Sequence, residues 1–393
     1  MEEASIFSFL VTFGVILVAA KIFGEIAVKF GQSAIIGELI AGVIIGPSLL
    51  GLVHETVTFK EIAELGAVIL LFEAGLSTNI KEFAKAGGWA TLVAFMGVVF
   101  PFLFGFFVFQ AFGMTTNASI FAGAVLTATS VGITARVFLD LNKMDTQEAK
   151  IVLGAAVIDD VIGLVILAVV MQLVSGTAVS FTTILGTSGT AILFLAAVVG
   201  LGLLITPHVF KFVEKMNQDF VVFVIGIAFC LFVSALAAHP SIGLAPIVGA
   251  FAAGLVLSAT KHGPKISEGV KPLYAFLVPL FFVFMGTKVD VGIFSSGEVL
   301  KLAAILFVVA FVGKALAGFV VLKKGIDKLL IGVAMVPRGE VGLIFASMGL
   351  TLGVFEQNIY SALVVVIMLT TFVTPVILKI LIARSNKALS NKR

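Results

Sequence analysis

AIIGELIAGVIIG, residues 34–46, and PIVGAFAAGLVLS, residues 246–258, read as two copies of one apolar helix, with Gly37 over Gly249 and Gly42 over Gly254. The offset of 212 residues recurs along the chain. LLFEAGLSTNIKEF (70–83) overlies FFVFMGTKVDVGIF (281–294) at 211, matching Gly75 with Gly286. TATSVG (127–132) overlies PRGEVG (337–342) at 210, and IDDVIGLVIL (158–167) overlies LTTFVTPVIL (369–378) at 211. One such match between glycine-bearing apolar helices is within chance. Four, in order and at one offset, make a repeat.

The surroundings of these segments decide the class. The chain has 393 residues, 60% hydrophobic and 12% charged, about half the charge of a soluble domain. Blocks such as 303–322 and 359–382 are long enough to cross a hydrocarbon core of about 30 Å. Hydropathy and breaker residues divide the chain into thirteen spans, roughly 5–24, 34–50, 60–77, 88–112, 118–138, 150–174, 182–207, 219–238, 242–258, 272–287, 299–322, 328–350 and 358–382. The repeat offset equals seven spans, an odd number, so the second copy enters the membrane upside down. The expected fold is an all-α integral membrane protein: two inverted six-helix repeats joined by a linker helix. Inverted repeats mark alternating-access carriers, whose ion sites lie near the midplane at interrupted helices.

The first block follows Met1-Glu2-Glu3 rather than a basic segment, and reads as a retained helix. The single Cys230 excludes a disulfide framework and a thiolate metal cluster. His54, His208, His239 and His262 all fall near segment ends and read as interfacial residues. Alternating the connections between two sides puts 20 Lys and Arg on one side and Lys60, Lys288 and Lys301 on the other, with Lys314 and Arg338 inside spans. Cations stay cytoplasmic, so the N-terminus is expected outside and the C-terminus in the cytoplasm. The basic residues are thereby a topology signal, and no nucleic-acid partner is expected.

Most acidic residues fall in loops or at helix ends. Asp159 and Asp160 in span six and Glu340 in span twelve sit at mid-depth, and Glu73 in span three lies less deep. Arg338 is as deep as Glu340, and Lys314 lies in the inner half of span eleven. A charge at a helix centre costs about 2.5–3.5 kcal/mol, so such a cluster points to function. Two segments at the same depth interrupt helix. Pro337 and Gly339 break span twelve, while Thr127, Thr129 and Ser130 bring hydroxyls to a stretch ending at Gly132 in span five. These segments are partners in the repeat. They are expected to unwind and cross, with Arg338 and Glu340 either compensating the opposed helix ends or forming a structural ion pair.

Adjacent residues on a helix point about 100° apart, so Asp159 and Asp160 cannot face one substrate atom together. One can face a neighbouring helix, where Lys314 is a partner whose charge offsets its own. The other can face a cavity and hold sodium, with Thr129, Ser130 and unwound carbonyls as further oxygen ligands.

GELIAGVIIGPSLLG (37–51), AELGAVILLFEAGL (63–76), TATSVGITARV (127–137), GAAVIDDVIGLVILAVV (154–170), IGLAPIVGAF (242–251), GKALAG (313–318) and PRGEVGLI (337–344) together resemble bacterial sodium/proton antiporters of the cation:proton antiporter superfamily, in particular the NapA-like branch with a paired aspartate. The resemblance covers essentially the whole chain. It implies the NhaA-like antiporter fold, Asp160 as the ion- and proton-binding residue, and Asp159 as the partner of Lys314. It also implies a homodimer in the cytoplasmic (inner) membrane, electrogenic exchange, and a core that slides like an elevator. The expected divisions are 1–80 and 216–295 for the dimerisation domain, 81–178 and 296–393 for the core, and 179–215 for the linker. Glu73 departs from the resemblance, which implies an apolar residue there.

A sodium-coupled solute symporter shares the repeat logic, but Trp89, Tyr274 and Tyr360 are few aromatics for an organic pocket. An intramembrane aspartyl protease needs facing carboxylates from two helices. No enzyme activity, cofactor or organic substrate is expected; the transported ions are Na+ (or Li+ or K+) and H+.

Overall fold

Five helix starts carry a side-chain cap on the orphan amides of the first turn. Thr56 accepts from Phe59 N, Asn79 from Lys81 N and Glu82 N, Thr115 from Ala118 N, Ser296 from Val299 N, and Asp327 from Leu330 N. The computed structural model describes residues 6–174, 181–216, 220–292 and 296–390. Met1-Glu2-Glu3, Lys392 and Arg393, and the divisions expected at 178–179 and 295–296, lie outside the described residues.

The described residues are helical almost throughout. The helices are α1 (Ile6–Lys29), α2 (Ala34–Ile45), α3 (Val57–Leu76), α4 (Ile80–Ala111), α5 (Thr116–Val125), α6 (Val131–Asp140), α7 (Gln147–Val174) and α8 (Phe181–Val213). They continue as α9 (Val221–Ala237), α10 (Pro246–Ser258), α11 (Gly263–Thr287), α12 (Gly297–Ala317), α13 (Lys328–Ala334), α14 (Glu340–Thr351) and α15 (Gln357–Ser390). Six stretches are individually long and apolar enough to cross a membrane: α1, α4, 188–213 of α8, α11, 297–320 around α12, and 357–384 of α15. Large apolar side chains point outward on α1, α8 and α9, among them Phe7, Leu193, Leu204 and Phe232. That is the reverse of a water-soluble surface and suits lipid.

Glycines set the closest contacts. α2 packs on α1 and α11, and α3 packs on α10 and α11. A Cβ on Gly42 would come within 2.8 Å of the Gly286 Cα, and one on Gly75 within 2.9 Å of the Gly254 Cα. A second group forms around α4, which packs on α5, α7 and α12, while α12 packs in turn on α13 and α15. α8 touches α7, α9 and α10.

Helices run past the edges read from hydropathy. α11 begins at Gly263 rather than 272 and continues through Pro272 and Pro279; α4 passes Pro101 and α15 passes Pro375. Proline inside a buried helix is tolerated when neighbours satisfy the freed carbonyl. Arg136 and Lys150, at the ends of spans 118–138 and 150–174 and counted among the 20 cations of the cytoplasmic side, are buried: Arg136 in α6 with 8% exposure and Lys150 in α7 with 1%. Lys150 donates to Glu82 and to the Asp145 carbonyl. Each has carboxylates nearby, which is what lets a cation stand inside a packed helix.

Candidate ion-binding site

The chain breaks helix at two places, and the breaks meet. α5 ends at Val125 and α6 begins at Val131; α13 ends at Ala334 and α14 begins at Glu340. The Ser130 amide donates to the Pro337 carbonyl at 2.7 Å, and the Thr134 hydroxyl donates to the Ala334 carbonyl at 2.6 Å. Thr371 of α15 donates to the Arg338 carbonyl at 2.5 Å. Pro337 has no amide to donate, and no Cβ fits at Gly339, where one would lie 2.7 Å from the Ser130 Oγ. The sequence therefore unwinds where a crossing partner replaces the lost helical bonds.

Arg338, fully buried, holds the crossing together. Its guanidinium donates to the carbonyls of Val336 (2.7 Å), Leu126 (2.8 Å) and Ala310 (3.1 Å). Val336 and Leu126 lie just past the C-terminal ends of α13 and α5, so one cation faces the negative ends of both half-helices. Glu340 opens α14; its side chain lies outside the described residues.

α7 brings the carboxylates to this point. Asp159 is 4% exposed and faces Lys314 of α12, whose Nζ lies 3.5 and 3.4 Å from the two carboxylate oxygens. Lys314 is fully buried, with its Nζ directed towards Gly97 of α4, where a Cβ would stand 3.6 Å away. Small residues on α4 thus make room for the ammonium group. Asp160, half-buried, follows Asp159 on α7, about 100° further round the helix.

Both aspartates line a cavity of about 980 Å3, together with Thr127, Ala128 and Thr129 of the α5–α6 break. The cavity runs between the α3, α10 and α11 walls and those of α7, α14 and α15. Its mouth carries Glu55, Lys60, Glu64 and Lys288, so it opens at the end bearing the α2–α3 and α11–α12 connections. Thr127 donates to its own helix at the Ala124 carbonyl (2.8 Å), leaving its oxygen lone pairs available. Thr129 stands beside Asp159. Ser130 is not among the cavity-lining residues and faces Gly339 instead. Glu73 sits apart, accepting from Ser267 of α11 at 2.7 Å and from Ser77 at 3.3 Å, so it bridges α3 to α11. The Asp159 and Asp160 carboxylates and the Thr127 and Thr129 hydroxyls along this cavity are hard-oxygen donors, the kind a small cation takes. Among the described residues no group of three His, Cys, Asp or Glu side chains could hold a metal ion.

One cluster escaped the sequence reading. Glu38 of α2 is 2% exposed and lies 3.7 Å from Arg136, which also donates to Asp140 at 2.8 Å and stacks over the Tyr274 ring at 4.8 Å. Both Glu38 and Arg136 stand a few residues from a helix end, which reads as interface. Their signal was apolar residues on both flanks, in IIGELIA and GITARVF.

The sodium/hydrogen exchanger transmembrane family profile matches residues 9–384. The high-affinity Na(+)/H(+) antiporter NhaS3 of Synechocystis sp. is 36% identical, the match covering 92% of this chain and 87% of that one. The Na(+)/H(+)-K(+) antiporter GerN of Bacillus cereus is 32% identical over 98% of both chains. The sodium proton antiporter MjNhaP1 of Methanocaldococcus jannaschii has a structure superposing with a TM-score of 0.67, covering 95% of this chain and 96% of that one at 16% identity, which speaks for the fold. Crossed helix breaks, a buried aspartate–lysine pair at a cavity floor and a family match over nearly every residue converge: the chain belongs to the sodium/hydrogen exchanger family of multi-pass membrane transporters.

Proposed function

We propose that this chain exchanges sodium for protons across the cytoplasmic membrane, with Asp160 as the carboxylate that alternately holds the cation and the proton. The function is transport, not enzymatic catalysis, as the relatives' names as antiporters indicate. The observation carrying the reading is Asp160 on the cavity wall with the Asp159–Lys314 pair behind it. A carboxylate there binds sodium with help from Thr127, Thr129 and unwound carbonyls, and on releasing it takes a proton instead. Lys314 neutralises Asp159 and keeps a second titratable pair beside the site, which suits electrogenic exchange.

Counting each interrupted pair, α5 with α6 and α13 with α14, as one span makes thirteen. The inverted repeat is supported by symmetric packing: α2 on α11 corresponds to α10 on α3, and Gly42 on Gly286 corresponds to Gly254 on Gly75. In this reading α1–α3 and α9–α11 form a scaffold that pairs with a second copy. α4–α7 and α12–α15 form the moving core, and α8 links the halves. The Lys and Arg bias puts the cavity mouth outside and the C-terminus in the cytoplasm, so the structure is open outward.

The test is reconstitution in liposomes, reading internal pH and voltage under separate sodium, lithium and potassium gradients with no organic solute. The expected result is proton flux driven by a cation gradient alone, abolished by Asp160→Asn. Full exchange by Asp160→Asn overturns the assignment.

A further inference from the structure

At the end opposite the cavity mouth, an ion pair joins the two proposed bodies. Arg136 and Asp140 ride on α6; Glu38 on α2 and Tyr274 on α11 belong to the scaffold. Arg136 keeps Asp140 one turn away on its own helix, at 2.8 and 3.0 Å. It therefore retains an anion wherever the core travels. Glu38 is placed differently. Arg136 is its ion-pair partner at 3.7 Å, and its Oε2 is buried without a hydrogen bond among the described residues. Withdrawing α6 would strand a buried carboxylate.

A substitute partner stands in the scaffold itself. The Glu38 side chain lies against α1, its Cγ 3.9 Å from where a Cβ on Gly24 would stand. Lys21, one turn before Gly24 on that helix, lies within electrostatic reach of Glu38 and is anchored to the Ala275 carbonyl at 3.0 Å. That bond is exposed and the lysine stem has four flexible carbons, so the ammonium can exchange the Ala275 carbonyl for Glu38.

We propose that Glu38 is the latch of the inner gate: it pairs with Arg136 while the cavity is open outward and passes to Lys21 when the core slides. The inference rests on the moving-core reading of the preceding subsection. The exchange keeps a buried carboxylate paired in both end states, which gives two discrete arrangements rather than a continuum. Removing Glu38 costs the outward state its buried Arg136 pair and the inward state only a solvent-screened pair with exposed Lys21, so it favours the inward state. Removing Lys21 leaves Glu38 dependent on Arg136 and favours the outward state. The two changes act in opposite directions on one equilibrium.

The experiment uses the full chain with Cys230→Ala and Ser347→Cys, Ser347 being an exposed residue of the cavity wall. A membrane-impermeant maleimide is added on the side to which the cavity opens, and the labelling rate is read alongside sodium-driven proton flux. Glu38→Gln is expected to slow labelling and Lys21→Gln to speed it, each by roughly five-fold or more. Lys21 is exposed, so its variant folds even if Glu38→Gln does not, and its predicted direction stands alone. Unchanged labelling in Lys21→Gln, or a shift of both variants in the same direction, overturns the latch. Loss of sodium-driven flux in the unsubstituted chain would instead overturn the antiport reading.

Discussion

Lys314 carries the sharpest consequence at the scale of single residues. It is fully buried against Asp159, and removing one member of a buried pair costs about 3–5 kcal/mol, since the other charge is left behind. Lys314→Ala is expected to lower the melting temperature in detergent and to reduce the voltage generated per sodium moved. Adding Asp159→Asn removes the stranded charge, so the double variant should melt above Lys314→Ala. A double variant no more stable than the single one would mean that the two groups do not interact. The pair itself was legible in the sequence, because two aspartates and one lysine have no other reason to sit at mid-depth in apolar helices. That the two aspartates face apart followed from the helical step; which of them meets Lys314 came from the resemblance, and the structure places Asp159 there. Glu38 and Arg136 were not legible in the same way. Near a helix end a charge is free to reach solvent, and only packing by α6 and α11 takes that freedom from these two.

At the scale of elements, glycine decides how closely helices cross. A Cβ at Gly286 would fall on the Leu39 carbonyl and within 2.9 Å of the Gly42 Cα, both backbone atoms that cannot rotate away. Gly286→Leu is therefore expected to destabilise the α2–α11 contact by more than the usual 1–3 kcal/mol of overpacking. Expression and melting temperature would report it, with Gly87→Ala, a position open on all sides, as the control. The helix breaks were foreseen from Pro337, Gly339 and the hydroxyls of 127–130, but their bonding was not. Hydropathy registers lost helix; it carries no record of which carbonyl takes the Ser130 amide or where the Arg338 fork lands. Helix lengths show the same limit. α11 starts nine residues before its apolar run, because polar residues extend a helix beyond the hydrocarbon without any hydropathic mark.

The whole molecule tests the topology. A protease-cleavable tag fused to the C-terminus should be digested in everted vesicles and protected in right-side-out ones; the reverse pattern would invert the orientation inferred from Lys and Arg. Membrane class, the helix breaks and the buried Asp159–Lys314 charges lay in the sequence, because they depend on composition, breaker residues and the energetic oddity of charge in oil, all local to the chain. Which side the cavity opens on, how one arginine serves three carbonyls from three segments, and that Glu38 finds Arg136 about a hundred residues away were decided by tertiary structure. Contacts between distant segments depend on how packed helices are displaced relative to one another, which no local pattern of residues records.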